Sequence, residues 1–259
     1  MPRYRKKRGT DETMRQGAKL ITVADPQNVV SEQFRTIRTN INFLGVDKKV
    51  TAIGFTSSNI SEGKSTVTAN IAITSAQAGN RVLLIDTDLR RPTVHSTFDL
   101  ANNRGLTTIL TSNADRIDVS EIVQASGVDN LSVLTSGPIP PNPAELLNSQ
   151  KMMTTLKELR SYYDVVILDL APVLEVSDTQ VLASQMDGVV LVVRQGVTQK
   201  LAVKRAVEML RLAQVKIFGY VMNDVNASDG GYGYGYGYGY GYGQTKEKRS
   251  WFKWGKKKS

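Results

Sequence analysis

The chain has 259 residues, 41% of them apolar, which is enough for one large core or two small ones. Its net charge of +9 is concentrated at the ends, because residues 1–8 carry five basic residues and residues 246–259 carry seven basic and one acidic residue, which leaves the middle near −2. A nearly neutral body argues against a basic groove, so we expect no nucleic-acid partner, and the lack of cysteine excludes disulfides, iron–sulfur clusters and cysteine metal sites.

The sequence contains no segment typical of a membrane span or a secretory signal. No apolar run approaches the length of a spanning helix, and no apolar stretch follows the basic N-terminus. These features favour the cytoplasm.

The first element predicted along the chain is a helix over 28–44. The polar residues before it predict a flexible, basic arm over 1–27. The apolar residues of the helix recur at steps of three and four, and form one stripe: Val30, Phe34, Ile37, Ile41 and Leu44.

Strands and helices alternate through the rest of the body. Continuous apolar strands between helices indicate an α/β fold, a doubly wound and mostly parallel sheet covered on both faces. The body should span 28–226, and 227–259 should be a disordered tail. The predicted strands are 50–57, 81–86, 130–137, 164–170, 187–196 and 215–224, and the predicted helices are 64–79, 142–163 and 198–213.

The segment "SSNISEGKST" (57–66) lies between the first strand and the next helix, where a phosphate-binding loop belongs. It fits the spacing G-x-x-x-x-G-K-[ST], with a serine in place of the first glycine. Backbone N–H groups would hold the anion, the lysine would reach the β- and γ-phosphates, and the serine after it would bind magnesium. An ordinary strand–helix turn is the alternative. The predicted nucleotide-binding residues of the loop are Ser58, Glu62, Gly63, Lys64, Ser65 and Thr66.

Three carboxylates follow buried strands that should end at the same edge of the sheet. Asp86 and Asp88 close one strand, and Asp169 closes another. Carboxylates in this position hold magnesium, often through water, although each alone also fits a helix cap or a loop. Asn223 ends the last strand and is a candidate for reading a nucleotide base, with a turn residue as the alternative.

The tail contains six tyrosines that alternate strictly with glycine: Tyr232, Tyr234, Tyr236, Tyr238, Tyr240 and Tyr242. On composition alone, this repeat is equally compatible with a low-complexity segment that has no specific role.

The order of "SEGKST", "LLIDTDLRRP", "GPIPPNPAELL", "ILDLAPV…SD" and "VVLVVRQGVT" resembles the bacterial tyrosine kinases of capsule and exopolysaccharide synthesis, which are deviant P-loop ATPases. The resemblance covers about residues 28–226 and the tail. It implies an ATP- and Mg²⁺-dependent autokinase that phosphorylates the six tail tyrosines.

The resemblance also implies roles for the individual site residues. Lys64 would neutralise the γ-phosphate, and Ser65, Asp88 and Asp169 would hold Mg²⁺. Asp86 is our choice to accept the tyrosine proton, with Asp88 as the second candidate. Two departures from the family pattern are Ile60-Ser61, where Pro-Gly is common, and Leu170-Ala171, where Thr/Ser-Pro is usual.

The segment "EQFRTIR" matches the family's E-x-x-R-x-x-R pattern, which is associated with ring-shaped oligomers. Glu32, Arg35 and Arg38 would lie on one helix face, as an interface requires, and a solvated charged face is the alternative.

The resemblance implies partners as well: a transmembrane adaptor that controls polysaccharide chain length, and a cognate tyrosine phosphatase. The C-terminal Trp251, Phe252 and Trp254 interleave with lysines, which favours binding to an anionic membrane surface. The alternative is that this arm only increases solubility.

Two rival functions remain. One is a positioning ATPase of the same superfamily, although Asn59 stands where such proteins carry an extra lysine. The other is a nucleotide switch in which the Tyr-Gly repeat is an interaction segment.

Overall fold

The computed structural model describes residues 16–44, 49–112 and 119–225. The predicted α/β fold is confirmed: one seven-stranded sheet carries helices on both faces. The six tail tyrosines and both basic ends, residues 1–8 and 246–259, lie outside the described residues. No helix in the described part of the chain is long and apolar enough to cross a membrane.

The sheet has the strand order β3-β4-β2-β5-β1-β6-β7. Its neighbours run parallel except for the edge strand β3, which is antiparallel to β4. Six strands agree with the predicted ones, and the two-residue β3 was not predicted because it is too short to show an alternating pattern. The strands are β1 (Ala52–Ser57), β2 (Val82–Asp86), β3 (Gln124–Ala125), β4 (Leu131–Leu134), β5 (Val165–Asp169), β6 (Gly188–Arg194) and β7 (Ile217–Asn223).

The described helices precede or connect these strands. They are α1 (Ile21–Ala24), α2 (Val29–Phe43), α3 (Lys64–Gln77), α4 (Val94–Thr97), α5 (Leu106–Thr111), α6 (Pro143–Leu147), α7 (Gln150–Tyr162), α8 (Asp178–Ser184) and α9 (Lys200–Leu212), with a 3-10 turn at Val119–Glu121.

The central strands are buried on both faces. Successive side chains point to opposite sides of the sheet, so each strand contributes to two cores. Leu83 and Ile85 of β2 face one core with α7 and α9. Leu84 faces the other core, which contains α2 and α3. This arrangement explains why the strands read as continuous apolar runs rather than as alternating ones.

The predicted flexible arm over 1–27 is wrong for its second half. Residues 16–27 belong to the folded body, and Thr22 of α1 is completely buried. The side chains of Leu20 and Ile21 pack against the core that contains α3. The sequence shows only a short apolar segment here, within polar surroundings. Two apolar residues and a buried threonine are too few to give a helical period, so the packing of this segment was not predicted.

The predicted helix over 142–163 is two helices, α6 and α7. Asn148 ends the first, and Ser149 begins the second by accepting a hydrogen bond from the backbone N–H of Met152 at 3.1 Å. This N-cap pairs one of the free backbone N–H groups at the start of α7, so a new helix begins here.

The apolar stripe of α2 is buried only in its middle. Phe34 and Ile41 pack into the core, whereas Val30 and Leu44 at the two ends are exposed, as are the neighbouring Val29 and Phe43. Apolar side chains therefore remain uncovered at both ends of the helix that carries the E-x-x-R-x-x-R pattern.

Candidate nucleotide site

The loop between β1 and α3 turns at Gly63, which has a left-handed backbone conformation (φ 87°) and is the N-cap of α3. A Cβ atom at this position would lie 1.9 Å from the side-chain nitrogen of Asn223. Glycine is therefore required both by the backbone angle and by the close approach of β7. The N-terminus of the 14-residue α3 opens directly from this turn, as anion binding requires.

Glu62 and Asn223 hold the loop in shape. The Glu62 carboxylate is buried and accepts hydrogen bonds from the backbone N–H of Ser58 (2.9 Å) and from the side chain of Asn59 (3.2 Å). The Glu62 carbonyl accepts a hydrogen bond from Asn223 Nδ2 at 3.0 Å. Both residues therefore contact the loop itself, and their predicted contact with a nucleotide stays a prediction.

The backbone of Ser61 lies in the left-handed region (φ 63°). This angle disfavours residues with a side chain, so a glycine would fit this position with less strain. Arg194 at the end of β6 donates to the Ser61 carbonyl at 3.1 Å and to the Asp224 carboxylate at 2.8 and 2.9 Å. The strand ends of β6 and β7 thus support the loop from outside.

Lys64 is the centre of a buried charge cluster. Its Nζ lies 2.8 Å from Asp169 Oδ1, 3.6 Å from Asp88 Oδ2 and 3.3 Å from Ser65 Oγ. Burial lowers the pKa of Lys64, but the charges of Asp169 and Asp88 outweigh this effect and raise the pKa above its ordinary value. The lysine is therefore a permanent cation, held by carboxylates at the point where phosphates would enter.

Asp86 is completely buried and accepts three backbone hydrogen bonds. Its Oδ2 accepts from Thr93 and Val94 at 3.0 Å each, and its Oδ1 accepts from Asp88 at 3.2 Å. Burial, followed by the charge of Asp169, raises the pKa of Asp86 to about 8. A carboxylate with this pKa is a much stronger base than an exposed aspartate. The loop that follows β2 is folded around it.

Asp88 is slightly less buried than Asp86. Its Oδ1 accepts from the backbone N–H of Arg91 at 3.1 Å, which leaves Oδ2 facing Lys64. Burial raises the pKa of Asp88, and the Lys64 ammonium counteracts this rise in part.

Asp169 ends β5 directly beside Asp86, its partner in the register of the sheet. Its Oδ1 also accepts a hydrogen bond from Thr68 Oγ1 at 3.2 Å. Thr68 lies one helical turn after Lys64. The sequence did not single out this threonine, although its spacing from the lysine was a usable signal.

Two buried polar atoms at the site have no hydrogen-bond partner among the described residues: Asp169 Oδ2 and Ser58 Oγ. Buried polar atoms are normally satisfied, so a phosphate group and a hydrated cation fit the two orphaned oxygens. No cluster of three or more histidine, aspartate or glutamate side chains arranged to hold a metal occurs within residues 16–44, 49–112 and 119–225. The orphaned carboxylate oxygen of Asp169 fits a cation such as Mg²⁺, which binds oxygen ligands and keeps several waters.

The residues of the E-x-x-R-x-x-R pattern do not all face solvent. Glu32 and Arg35 form an ion pair on the surface of α2, and Arg35 also donates to the Pro26 carbonyl at 2.7 Å. Arg38 instead donates to the Thr74 carbonyl of α3 at 3.0 Å. The structure therefore places one arginine against the body and two charges on the outside.

Comparisons with known proteins agree with this geometry. Residues 50–216 match the family described as AAA domain. The chain is 46% identical over 219 residues to the tyrosine-protein kinase YwqD of Bacillus subtilis, which covers 85% of this chain and 90% of YwqD. The chain belongs to the bacterial tyrosine-protein kinases. The fold of the kinase matches that of the kinase domain of the Escherichia coli tyrosine kinase ETK, with a TM-score of 0.74 and 31% identity over 84% of this chain and 85% of the other. It also matches the chimerical protein CapA2B2, with a TM-score of 0.75 and 36% identity over 83% of this chain and 98% of the other.

The enzyme class follows from these relatives: the protein is a protein-tyrosine kinase with a P-loop fold that implies nucleotide binding. The predicted identification as a kinase of this family is confirmed.

Proposed function

We propose that the kinase transfers the γ-phosphoryl group of ATP, with Mg²⁺, to the tyrosines of its own C-terminal repeat. The observation that carries this proposal is the contact of Lys64 with the carboxylates of Asp169 and Asp88 at the start of a P-loop helix. Phosphoryl transfer depends mainly on positioning and charge neutralisation. A lysine and carboxylates at this position supply the groups for both.

Nucleotide binding would exchange the partners of Lys64. The ammonium would leave Asp169 for the β- and γ-phosphates, and the loop N–H groups would hold the phosphate oxygens. Ser65 would bind Mg²⁺ directly, and Asp88 and Asp169 would hold it through water. The orphaned Asp169 Oδ2 supports this assignment, because it has capacity for a further donor. Bound Mg²⁺ would add positive charge near the transferred phosphoryl group.

Asp86 is the proposed proton acceptor. Its pKa of about 8 places the carboxylate near the range that general-base catalysis requires. Its Oδ1 receives one N–H donor, at 3.2 Å, and so retains a lone pair for a phenol. Because Asp86 is buried beside Lys64, the movement of the lysine to the phosphates would have to uncover it. Asp88 remains the second candidate.

The last described residues of the body lie beside the phosphate loop. Asn223 and Asp224 both bond to groups that hold the phosphate loop, and β7 ends at Asn223. About 16 residues separate Asn226 from Tyr242, which corresponds to a mean span of roughly 22 Å and at most about 55 Å. This length lets the tyrosines reach a neighbouring subunit's site, and it does not exclude their own.

The proposed biological role is control of capsular or exopolysaccharide polymerisation and export. It rests on the family resemblance, and relatives named CapB and CpsD support it. The proposed partners are a transmembrane adaptor that activates the kinase and a cognate tyrosine phosphatase. The proposed location is the inner face of the cell membrane, with the basic C-terminal arm on anionic lipids at about 1 kcal/mol per basic residue.

Assembly through α2 is part of the proposal. Glu32 is exposed and Arg35 is partly exposed, and apolar Val29 and Phe43 on the same helix are also exposed, which is a mixture common in interfaces. A ring of subunits would cover these side chains.

Phosphosite mapping tests the proposed activity. The purified kinase is incubated with ATP and Mg²⁺, and phosphopeptides are identified by mass spectrometry. We expect phosphotyrosine only within 232–242, and none in a variant with all six tail tyrosines changed to phenylalanine. Phosphate on serine or threonine alone, or no phosphate in the unmodified chain, would contradict the proposal. Sedimentation with anionic and neutral vesicles tests the membrane role. If the kinase bound neither kind of vesicle, the membrane role would be refuted.

A further inference from the structure

The segment from Gly17 to Asp25, here called the N-terminal strap, packs against α3 and α4. Its residue Thr22 is fully buried, as is Asn70 of α3, which it contacts. The Thr22 backbone N–H and hydroxyl both donate to Asn70 Oδ1, at 3.1 and 2.8 Å. None of this segment belongs to the phosphate-loop motif, the carboxylates or the tail.

Asn70 uses its whole amide in this contact. Besides the two hydrogen bonds that it accepts, its Nδ2 donates to the Lys19 carbonyl of the strap and to the Thr66 carbonyl, both at 2.8 Å. A side-chain amide has two donors and two acceptor lone pairs, so all four are occupied. Thr66 directly follows Ser65, the last residue of the phosphate-loop motif. Asn70 therefore joins the strap to the first turn of α3.

The other end of the strap reaches the elements that hold Asp86. The backbone N–H of Ala18 donates to Thr97 Oγ1 of α4 at 2.9 Å, and this hydroxyl donates to the Thr93 carbonyl at 2.7 Å. The Thr93 N–H is one of the donors to Asp86. A Cβ atom at Gly17, whose φ is +72°, would lie 2.5 Å from the Ser96 carbonyl oxygen, so the strap lies tightly against α4.

We propose that Asn70 is a positioning residue for the nucleotide site, and that the N-terminal strap preorganises the phosphate loop through it. The inference rests on the proposed nucleotide site. Phosphate binding needs the N–H groups of the first α3 turn to be held in place before the ligand arrives, because ordering them on binding would reduce affinity. The buried amide holds that turn through its hydrogen bond to the Thr66 carbonyl.

A matched set of threonine variants tests the proposal. Thr22→Val removes the hydroxyl that donates to Asn70, Thr22→Ser keeps it, and Thr51→Val removes a hydroxyl at the opposite end of β1. Thr51 bonds Asp187 and Arg160 there, at the amino end of the strand. The six residues of β1 separate it from the loop by about 20 Å.

The readout is the affinity for MgADP, measured by titration calorimetry, together with the thermal unfolding temperature of each protein. Losing one buried hydrogen bond to the loop support should weaken MgADP binding by about three- to tenfold in Thr22→Val. Thr22→Ser and Thr51→Val should bind as the unmodified chain does. Unchanged affinity in Thr22→Val would overturn the proposal, and so would an equal loss in Thr51→Val. If the unmodified chain failed to bind MgADP, the nucleotide site itself would be wrong.

Hydrogen exchange of the unmodified kinase gives a second test that does not depend on the folding of a variant. Coupling between two sites is reciprocal. If the strap favours nucleotide binding, saturating MgADP must slow the exchange of the Ala18 and Thr22 amides. Exchange rates that MgADP leaves unchanged at both amides would overturn the proposal.

Discussion

Lys64→Met should destabilise the kinase as well as inactivate it. A lysine that only faced a ligand crevice would be dispensable for folding. The structure shows instead that Lys64 is only 7% exposed and lies between the carboxylates of Asp169 and Asp88. Its removal leaves buried negative charges without their counter-ion.

The size of the effect follows from this burial. Removing one partner of a buried ion pair typically costs about 3–5 kcal/mol. For a body of this size, that loss corresponds to a fall in the unfolding temperature of roughly 6–20 °C. The loss should depend on pH. Burial already raises the pKa of Asp88 above its ordinary 3.8, while Lys64 lowers it, so the variant raises it further.

A carboxyl group with a raised pKa in the folded state favours folding at low pH and loses this contribution as pH rises through the folded pKa. The deficit of Lys64→Met should therefore be largest near pH 8 and smaller near pH 5. Chemical denaturation at both pH values measures it. The exposed pair between Arg81 and Asp164 supplies the control, because Arg81→Met removes a cation from the surface and should change stability little.

The double variant Lys64→Met/Asp169→Asn removes cation and anion together. It should recover most of the lost stability while remaining inactive, since the amide oxygen that replaces the carboxylate can still accept the hydrogen bond from Thr68. The reasoning would be refuted if Lys64→Met were as stable as the unmodified kinase at pH 8, or if the double variant were less stable than the single one.

Two further predictions concern Asp86 and Gly63. Between pH 4 and pH 8 the nucleotide-free kinase should lose stability as pH rises, because the pKa of Asp86 is raised from 3.8 to about 8 on folding. Asp86→Asn should flatten this dependence in urea unfolding, and equal slopes in the two proteins would count against the assignment. Gly63→Ala and Gly79→Ala both place a side chain at positive φ (87° and 90°), at a cost of about 1–2 kcal/mol each. Only the first would strike Asn223, since nothing lies within 4 Å of the second, so Gly63→Ala alone should abolish nucleotide binding in calorimetry. Retained binding in that variant would show that Asn223 is not fixed against the loop.

The fold and the main site were predictable because each depends on local sequence. Buried parallel strands give apolar runs, and the phosphate loop and the strand-end aspartates are separated by short, fixed spacings. The convergence of Asp86, Asp88 and Asp169 on Lys64 follows from the common edge of a parallel sheet.

The support that Asn70 gives to the site was not predictable from the sequence. Asn70 acts through contacts with the N-terminal strap, and their geometry depends on how distant segments pack. The Asn70 amide joins residues 19 and 22 to 66, and the sequence contains no period or spacing that relates them. The different partners of Arg35 and Arg38 also depend on packing, because Arg35 donates to the Pro26 carbonyl and Arg38 to the Thr74 carbonyl.

The central claim is that the Lys64 site phosphorylates the tyrosine repeat. The most direct measurement is the intact mass of the purified kinase after incubation with ATP and Mg²⁺, compared with that of the Lys64→Met/Asp169→Asn variant. We expect the unmodified chain to gain a ladder of phosphates that ends at six, one for each tail tyrosine. The folded variant should gain none. Equal phosphate gain in the two proteins, or none in the unmodified chain, would contradict the claim.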